Sequence, residues 1–171
     1  MTEDELARLY GEHGYLVLRR CVAYLGDVSR AQDALQEVFV RALRSAENFR
    51  GEASARTWLC RIADHLCIDI LRRERRSPFV PLTVEGTESA QDSELEAALL
   101  ADDGDALRTA RRLMHALDSQ SQRLAVLCFV DELTQDEIAA ELGLSRRTVG
   151  KRIKALRAHA RELLEAEEPP T

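Results

Sequence analysis

Arg146, Arg147, Lys151, Arg152 and Lys154 fall close together in the chain, with Thr148 among them. Arg157 and Arg161 follow, and no acidic residue stands between Leu144 and Arg161. Unopposed cations of this kind suit a polyanion. They can neutralise phosphates, and Arg or Lys can reach the edge of a base in the major groove. A second basic set, Arg61, His65, Arg72, Arg73 and Arg76, occurs earlier in the chain. Nothing in the sequence suggests catalysis: no nucleophile clusters with a base, and no phosphate-binding loop or metal-ligand spacing is present. No cofactor, metal or small-molecule substrate is expected.

The elements that must position these cations are helical. Thr134 with Glu137 three residues later forms a capping box that starts a short helix. Ala139 allows close helix approach, Gly143 supplies a turn and Ser145 can N-cap the next helix. Val149, Ile153, Leu156, Ala160 and Leu163 recur at helical spacing as the buried stripe of that second helix. The pattern predicts a helix-turn-helix with a basic recognition helix suited to a DNA groove. The bland alternative is a solvated, Arg-rich helix; the joint occurrence of capping box, turn glycine and basic face favours DNA.

Upstream, Thr2 and Glu5 predict another capping box, with Gly11 and Gly14 expected to break or loosen the helix it opens. A second run, Tyr15–Leu25, ends at Gly26. Asp27 or Ser29 begins the next helix, with Ala31, Ala34, Leu35, Val38, Phe39 and Ala42 inward and Asp33, Gln36, Glu37, Arg41 and Arg44 outward. On periodicity alone that outer face reads as solvated. Asn48–Gly51 reads as a loop, in which Phe49 is either a core plug or an exposed aromatic. A long helix is expected from about Ser54 to Arg76, with Trp58, Leu59, Ile62, Leu66, Ile70 and Leu71 inward and the second basic set outward. Pro78 discourages its continuation. Further on, Leu107, Leu113 and Leu117 restore the helical period, and the run from Leu124 to Val130 predicts a helix buried on most sides.

The net charge of −6 looks wrong for a DNA binder until it is divided. Residues 1–76 carry 13 basic and 12 acidic side chains, and residues 106–171 carry 11 and 10. Residues 77–105 carry eight acids and no base. The acidity therefore belongs to one segment, which Pro and Gly punctuate and which reads as a linker. The fold class expected is all-α: two small helical domains, 1–76 and 106–171, joined by a flexible acidic linker, 77–105. Cys21, Cys60, Cys67 and Cys128 form no CxxC pair and read as reduced, buried small hydrophobes. No apolar run approaches the roughly 18 residues of a membrane span, and the acidic N-terminus lacks a signal peptide's order, so a cytoplasmic location is expected.

AQDALQEVFVRAL (31–43), FRGEASARTWLCRIADHLCIDILRRERR (49–76) and LTQDEIAAELGLSRRTV (133–149) together resemble the extracytoplasmic-function sigma factors of bacteria, covering almost the full chain. The first two blocks are similar to sigma region 2 and the third to sigma region 4. The resemblance implies a non-catalytic subunit that lends promoter specificity to core RNA polymerase. It implies that Asp33, Gln36, Glu37 and Arg41 dock on the clamp helices of the largest subunit, against the solvated reading, and that the flap of the second largest subunit is a further contact. It implies that Phe49 pockets an extruded base of the −10 element, with Arg61, His65, Arg72, Arg73 and Arg76 along the single strand. The helix from Arg146, with Arg147, Thr148, Lys151, Arg152 and Lys154, would enter the major groove at the −35 element. The linker would thread the path of nascent RNA and mimic its charge, and an anti-sigma protein would hold the factor inactive.

Two residues depart from the family pattern. His65 sits where relatives commonly carry Asn, next to Asp64, a charge unhelpful near DNA. Gly150 lies inside the recognition helix, where it either brings the helix closer to the backbone or is simply tolerated. Two other functions compete: a stand-alone helix-turn-helix regulator, which would need a dimerisation surface, and an adaptor whose helices bind only protein.

Overall fold

The computed structural model describes residues 2–46, 54–76 and 104–166, and every regular element among them is an α-helix. In chain order these are α1 (Glu3–Leu25), α2 (Val28–Ser45), α3 (Ala55–Arg76), α4 (Gly104–Ala116), α5 (Ser119–Phe129), α6 (Gln135–Leu142) and α7 (Arg146–Glu165). They form two compact units, Met1–Arg111 and Arg112–Thr171, with the boundary inside α4. Phe49, its loop, and the acidic segment from Ser77 to Asp103 lie outside the described residues.

The first unit rests on α1, α2 and α3, each packed on the other two. Thr2 caps α1 through the expected box: its hydroxyl accepts from the Glu5 N–H (3.2 Å), and its own N–H donates to the Glu5 carboxylate (2.8 Å). Contrary to expectation, α1 runs unbroken through Gly11 and Gly14. The Tyr10 ring lies beside Gly14, and the inward residues Leu9, Val17, Leu18, Cys21, Val22 and Leu25 continue one stripe across the glycines. Burial of that stripe outweighs a helix penalty of about 1 kcal/mol per glycine. Gly26 then ends α1 in the left-handed region (φ 59°), as a C-cap requires. Asp27 caps α2 by accepting from the Arg30 N–H (2.9 Å), and the six expected inward residues of α2 are all buried, with Val28.

Helix α3 is rotated from its expected setting. Leu59, Leu66 and Leu71 face inward as read, but Trp58, Ile62 and Ile70 are only half-buried. The inner face is completed by Cys60, Ala63, Asp64, Cys67 and Ile68. Asp64 is 1% exposed and Arg20 of α1 is 2% exposed. Arg20 donates to both carboxylate oxygens, Nε to Oδ1 at 2.6 Å and Nη2 to Oδ2 at 3.0 Å, and the Tyr24 hydroxyl donates to Oδ1 at 2.9 Å. The expectation that Asp64 lies near DNA is therefore corrected: its charge is spent inside the unit, bracing α1 to α3. Arg30 near the start of α2 pairs with Glu74 near the end of α3.

In the second unit, Asp118 caps α5, accepting from the Gln120 and Ser121 N–H groups (2.9 and 3.1 Å) and the Ser121 hydroxyl (2.7 Å). The Ser121 hydroxyl first, and then these backbone donors, hold the Asp118 carboxyl below its ordinary pKa. Gln122 is buried and donates to the Met114 carbonyl at 2.7 Å, closing the end of α4. Leu124, Val126 and Leu127 of α5 are buried, but Phe129, expected inside, is 51% exposed. Its ring carries the Arg157 guanidinium at 5.6 Å, a cation–π contact that compensates its position at the end of the helix.

Candidate nucleic-acid interface

The expected helix-turn-helix is formed by α6 and α7. Thr134 closes its capping box with Glu137, donating its N–H to the carboxylate (2.8 Å) while its hydroxyl accepts from the Glu137 N–H (3.3 Å). That hydroxyl and N–H also lower the Glu137 pKa. Gly143 turns the chain at φ 65°, and Ser145 caps α7 by accepting from the Thr148 N–H at 3.2 Å. Ile138 and Ala139 of α6 meet a stripe of Val149, Ile153 and Leu156, all buried, with Ala160 and Leu163 half-buried. Arg123 of α5 bonds Glu141 of α6 (2.9 Å), fixing the short helix from its other side. These local devices decide which face of α7 is left to solvent.

At about 100° per residue, that face centres on Arg147, Lys151 and Lys154, all exposed. The remaining three of the six expected −35 residues lie off this centre. Arg146 sits on the flank toward α6, paired with Asp136 at 3.5 Å. Arg152 sits on the opposite flank, lining an open pocket of ≈ 350 Å³ with Leu117, Asp118, Leu124, Leu156 and His159. Thr148 is half-buried, its hydroxyl 2.8 Å from that of Ser145 within the cap. Gly150 faces Gln135 of α6, a neighbour that sequence spacing did not suggest.

In the first unit, Arg61, His65, Arg72 and Arg76 are exposed and share one stripe of α3, within a sector of about 60°. Arg73 is exposed on the flank nearer Trp58 and Ile62, and Arg72 also pairs with Asp69 (3.4 Å). The inward turn of Asp64 removes the acid from this stripe and leaves His65 facing outward.

The outer face of α2 gathers the other predicted set. Gln36 is exposed; Asp33, Glu37 and Arg41 are half-buried, and Arg41 Nε donates to Glu37 Oε1 at 2.7 Å. Burial, then the nearby Asp27 charge, raises the Asp33 pKa. Sequence reasoning missed Val40 and Leu43, which are 40% and 43% exposed on the same face. Their placement was readable: 36, 40, 43 and 44 follow helical spacing, which sets two apolar residues among polar ones on one face.

The four cysteines carry free thiols; Cys21, Cys60 and Cys67 are buried as expected and Cys128 is partly exposed. A hydrogen bond with the Cys21 thiol, and then burial, push the Cys67 pKa well above its ordinary value. Among the described residues no group of His, Cys, Asp and Glu could hold a metal ion, and no helix is long and apolar enough to cross a membrane.

Residues 9–77 match Sigma-70 region 2, and residues 107–159 match Sigma-70 region 4. The chain is 30% identical to the ECF RNA polymerase sigma factor SigW of Bacillus subtilis, an alignment covering 94% of this chain and 91% of SigW. It is similar to the solved structure of CnrH in complex with the cytosolic domain of CnrY, with a TM-score of 0.64 and 25% identity over 98% of this chain and 92% of that one. The sigma factor RpoE of Bartonella quintana, solved with the anti-sigma factor NepR, shares the fold at a TM-score of 0.55 and 18% identity, covering 97% of this chain and 98% of that one. With both regions matched in order, and with relatives alike over nearly their whole length, the chain belongs to the extracytoplasmic-function family of RNA polymerase sigma factors, which are transcription initiation factors.

Proposed function

We propose that the two domains, 1–76 and 106–171, divide the work of promoter recognition. The α2 face with Asp33, Gln36, Glu37 and Arg41, extended by Val40 and Leu43, docks on the clamp helices of the polymerase. The α3 stripe of Arg61, His65, Arg72 and Arg76, with Arg73 on its flank, follows the opened −10 strand. Phe49, assigned on the resemblance alone, takes the extruded base. Helix α7 enters the major groove at the −35 element. There Arg147, Lys151 and Lys154 face the bases and phosphates, and Arg146, Thr148 and Arg152 contact the DNA from the flanks and the helix start. The chain works in the cytoplasm, contributes no catalytic step, and is held inactive by an anti-sigma protein that covers these faces.

The observation that carries this reading is the outer face of α7, free of acids from Arg146 to Arg161 and held outward by the Ser145 cap and the Gly143 turn. Run-off transcription with bacterial core polymerase on a pool of promoter fragments tests it. A defined start that depends on the protein is expected. It should be lost in both R147E/K151E and Q36A/E37A, with specific DNA retention failing only in the first. Specific DNA retention with no polymerase-dependent transcript would support a stand-alone regulator instead.

A further inference from the structure

The flank of α7 that meets α6 has an unusual composition. Gly150 stands there in ordinary helical backbone, since positive φ among the described glycines is confined to Gly26 and Gly143. No turn requires a glycine at this place, and in a helix it is less favourable than Ala. What it provides is room. A Cβ at 150 would lie 3.1 Å from Gln135 Oε1, 3.8 Å from the amide carbon and 4.0 Å from Nε2. The carboxamide of Gln135, the first residue of α6, therefore rests directly on the α7 backbone where a side chain of α7 would otherwise stand. One turn earlier on the same flank, Asp136 holds Arg146 at 3.5 Å. Gln135 is exposed, and its amide makes no hydrogen bond with any described residue.

We infer that Gln135 supplies the base-reading group at the register of Gly150, so that one position of the −35 element is read by a residue of α6 seated on α7. The inference rests on the proposed entry of α7 into the major groove. The ligand class is an adenine edge: a carboxamide presents a donor and an acceptor side by side, matching adenine N6 and N7, whereas the neighbouring cations favour guanine or phosphate. Asp136 acts as a positioning residue, steering the Arg146 guanidinium away from the place that Gln135 fills.

The test is transcription by core polymerase and the full chain from promoters with a randomised −35 element, comparing wild type, Q135A and G150A. Thermal melts confirm that each variant is folded. Wild type is expected to prefer adenine at one base pair, and Q135A to lose about tenfold of that preference while keeping the others. G150A, whose added methyl would stand 3.1 Å from Oε1 and shift the carboxamide by a few tenths of an ångström, should weaken the same position to a smaller extent. Three results overturn the inference: an unchanged −35 preference in Q135A, an equal loss across all sequences, which marks a phosphate contact, or G150A and Q135A affecting different positions. Absence of any −35 preference in the wild type would instead overturn the promoter-reading function and this inference with it.

Discussion

Replacing Arg20 with Met is expected to destabilise the first unit strongly. Arg20 and Asp64 are each at most 2% exposed, and the guanidinium holds both carboxylate oxygens at 2.6 and 3.0 Å. Methionine fills most of the arginine volume but removes the cation, leaving a carboxylate buried without its counter-charge. Breaking a buried pair from one side costs about 3–5 kcal/mol, a large share of the roughly 5–15 kcal/mol that holds a domain together. Trp58 is the single tryptophan of the sequence and lies on α3, so its fluorescence follows this unit through a urea titration. With a slope of about 1–3 kcal/mol per molar, the midpoint should fall by on the order of 2 M. R20M/D64L/Y24F, which replaces all three of these side chains with apolar groups, should recover most of that loss. A midpoint for R20M within 0.3 M of wild type (roughly the ±0.5 kcal/mol of an ordinary surface substitution), or a triple variant as unstable as R20M, would refute the reasoning. The first result would mean that the carboxylate finds adequate solvation without Arg20; the second, that shape and not charge decides the site.

Three further expectations concern other sites. Burial, then the Asp64 charge, holds the Tyr24 hydroxyl well above its ordinary value of 10.0, so its neutral form is favoured in the fold. The stability this contributes is complete below pH 10 and declines as pH rises above it; Y24F should lose less stability on that alkaline limb, and an equal decline in both proteins would count against the claim. Glu132 is the one non-glycine residue with positive φ (54°) among the described residues; E132G should relieve about 1–2 kcal/mol of strain against a smaller entropic loss, raising stability by about 0.5–1 kcal/mol in a thermal melt, whereas E132A should not. With 5,5′-dithiobis(2-nitrobenzoate) the partly exposed Cys128 should react first and Cys21, Cys60 and Cys67 only as the protein unfolds; a fast Cys67 would contradict its burial and raised pKa.

What could be read from the sequence was what is decided within a few residues. Thr2 with Glu5, Thr134 with Glu137, Asp27, Gly143 and Ser145 each satisfy backbone groups one turn away; the sequence places all of them, Asp27 as one of two candidates with Ser29. The inner face of α2 was equally legible, because its apolar residues keep one clean period. Where the decision belongs to a distant partner, reading failed. Gly11 and Gly14 look like breaks locally, yet α1 continues because α2 and α3 cover the stripe on both sides of them. The second basic set was placed on the correct side of α3, while the inner face was misjudged, since Cys60, Ala63 and Cys67 give a weak apolar signal.

Asp64 shows the physical limit most clearly. A carboxylate beside His65 and Arg61 looks like part of an outer charged face, and no local pattern marks it as inward. Arg20, 44 residues earlier, together with Tyr24 makes its burial tolerable, and an unpaired charge there would be costly. The same logic applies to Gly150, whose value depends on Gln135 of another helix. A helical wheel orders the residues of one helix, but what a charged or missing side chain does is settled by the helix it meets. The sites most easily misread are therefore those where a second helix contributes: the α1–α3 brace that turns the acid away from the α3 basic stripe, and the α6 residue that meets Gly150 of α7.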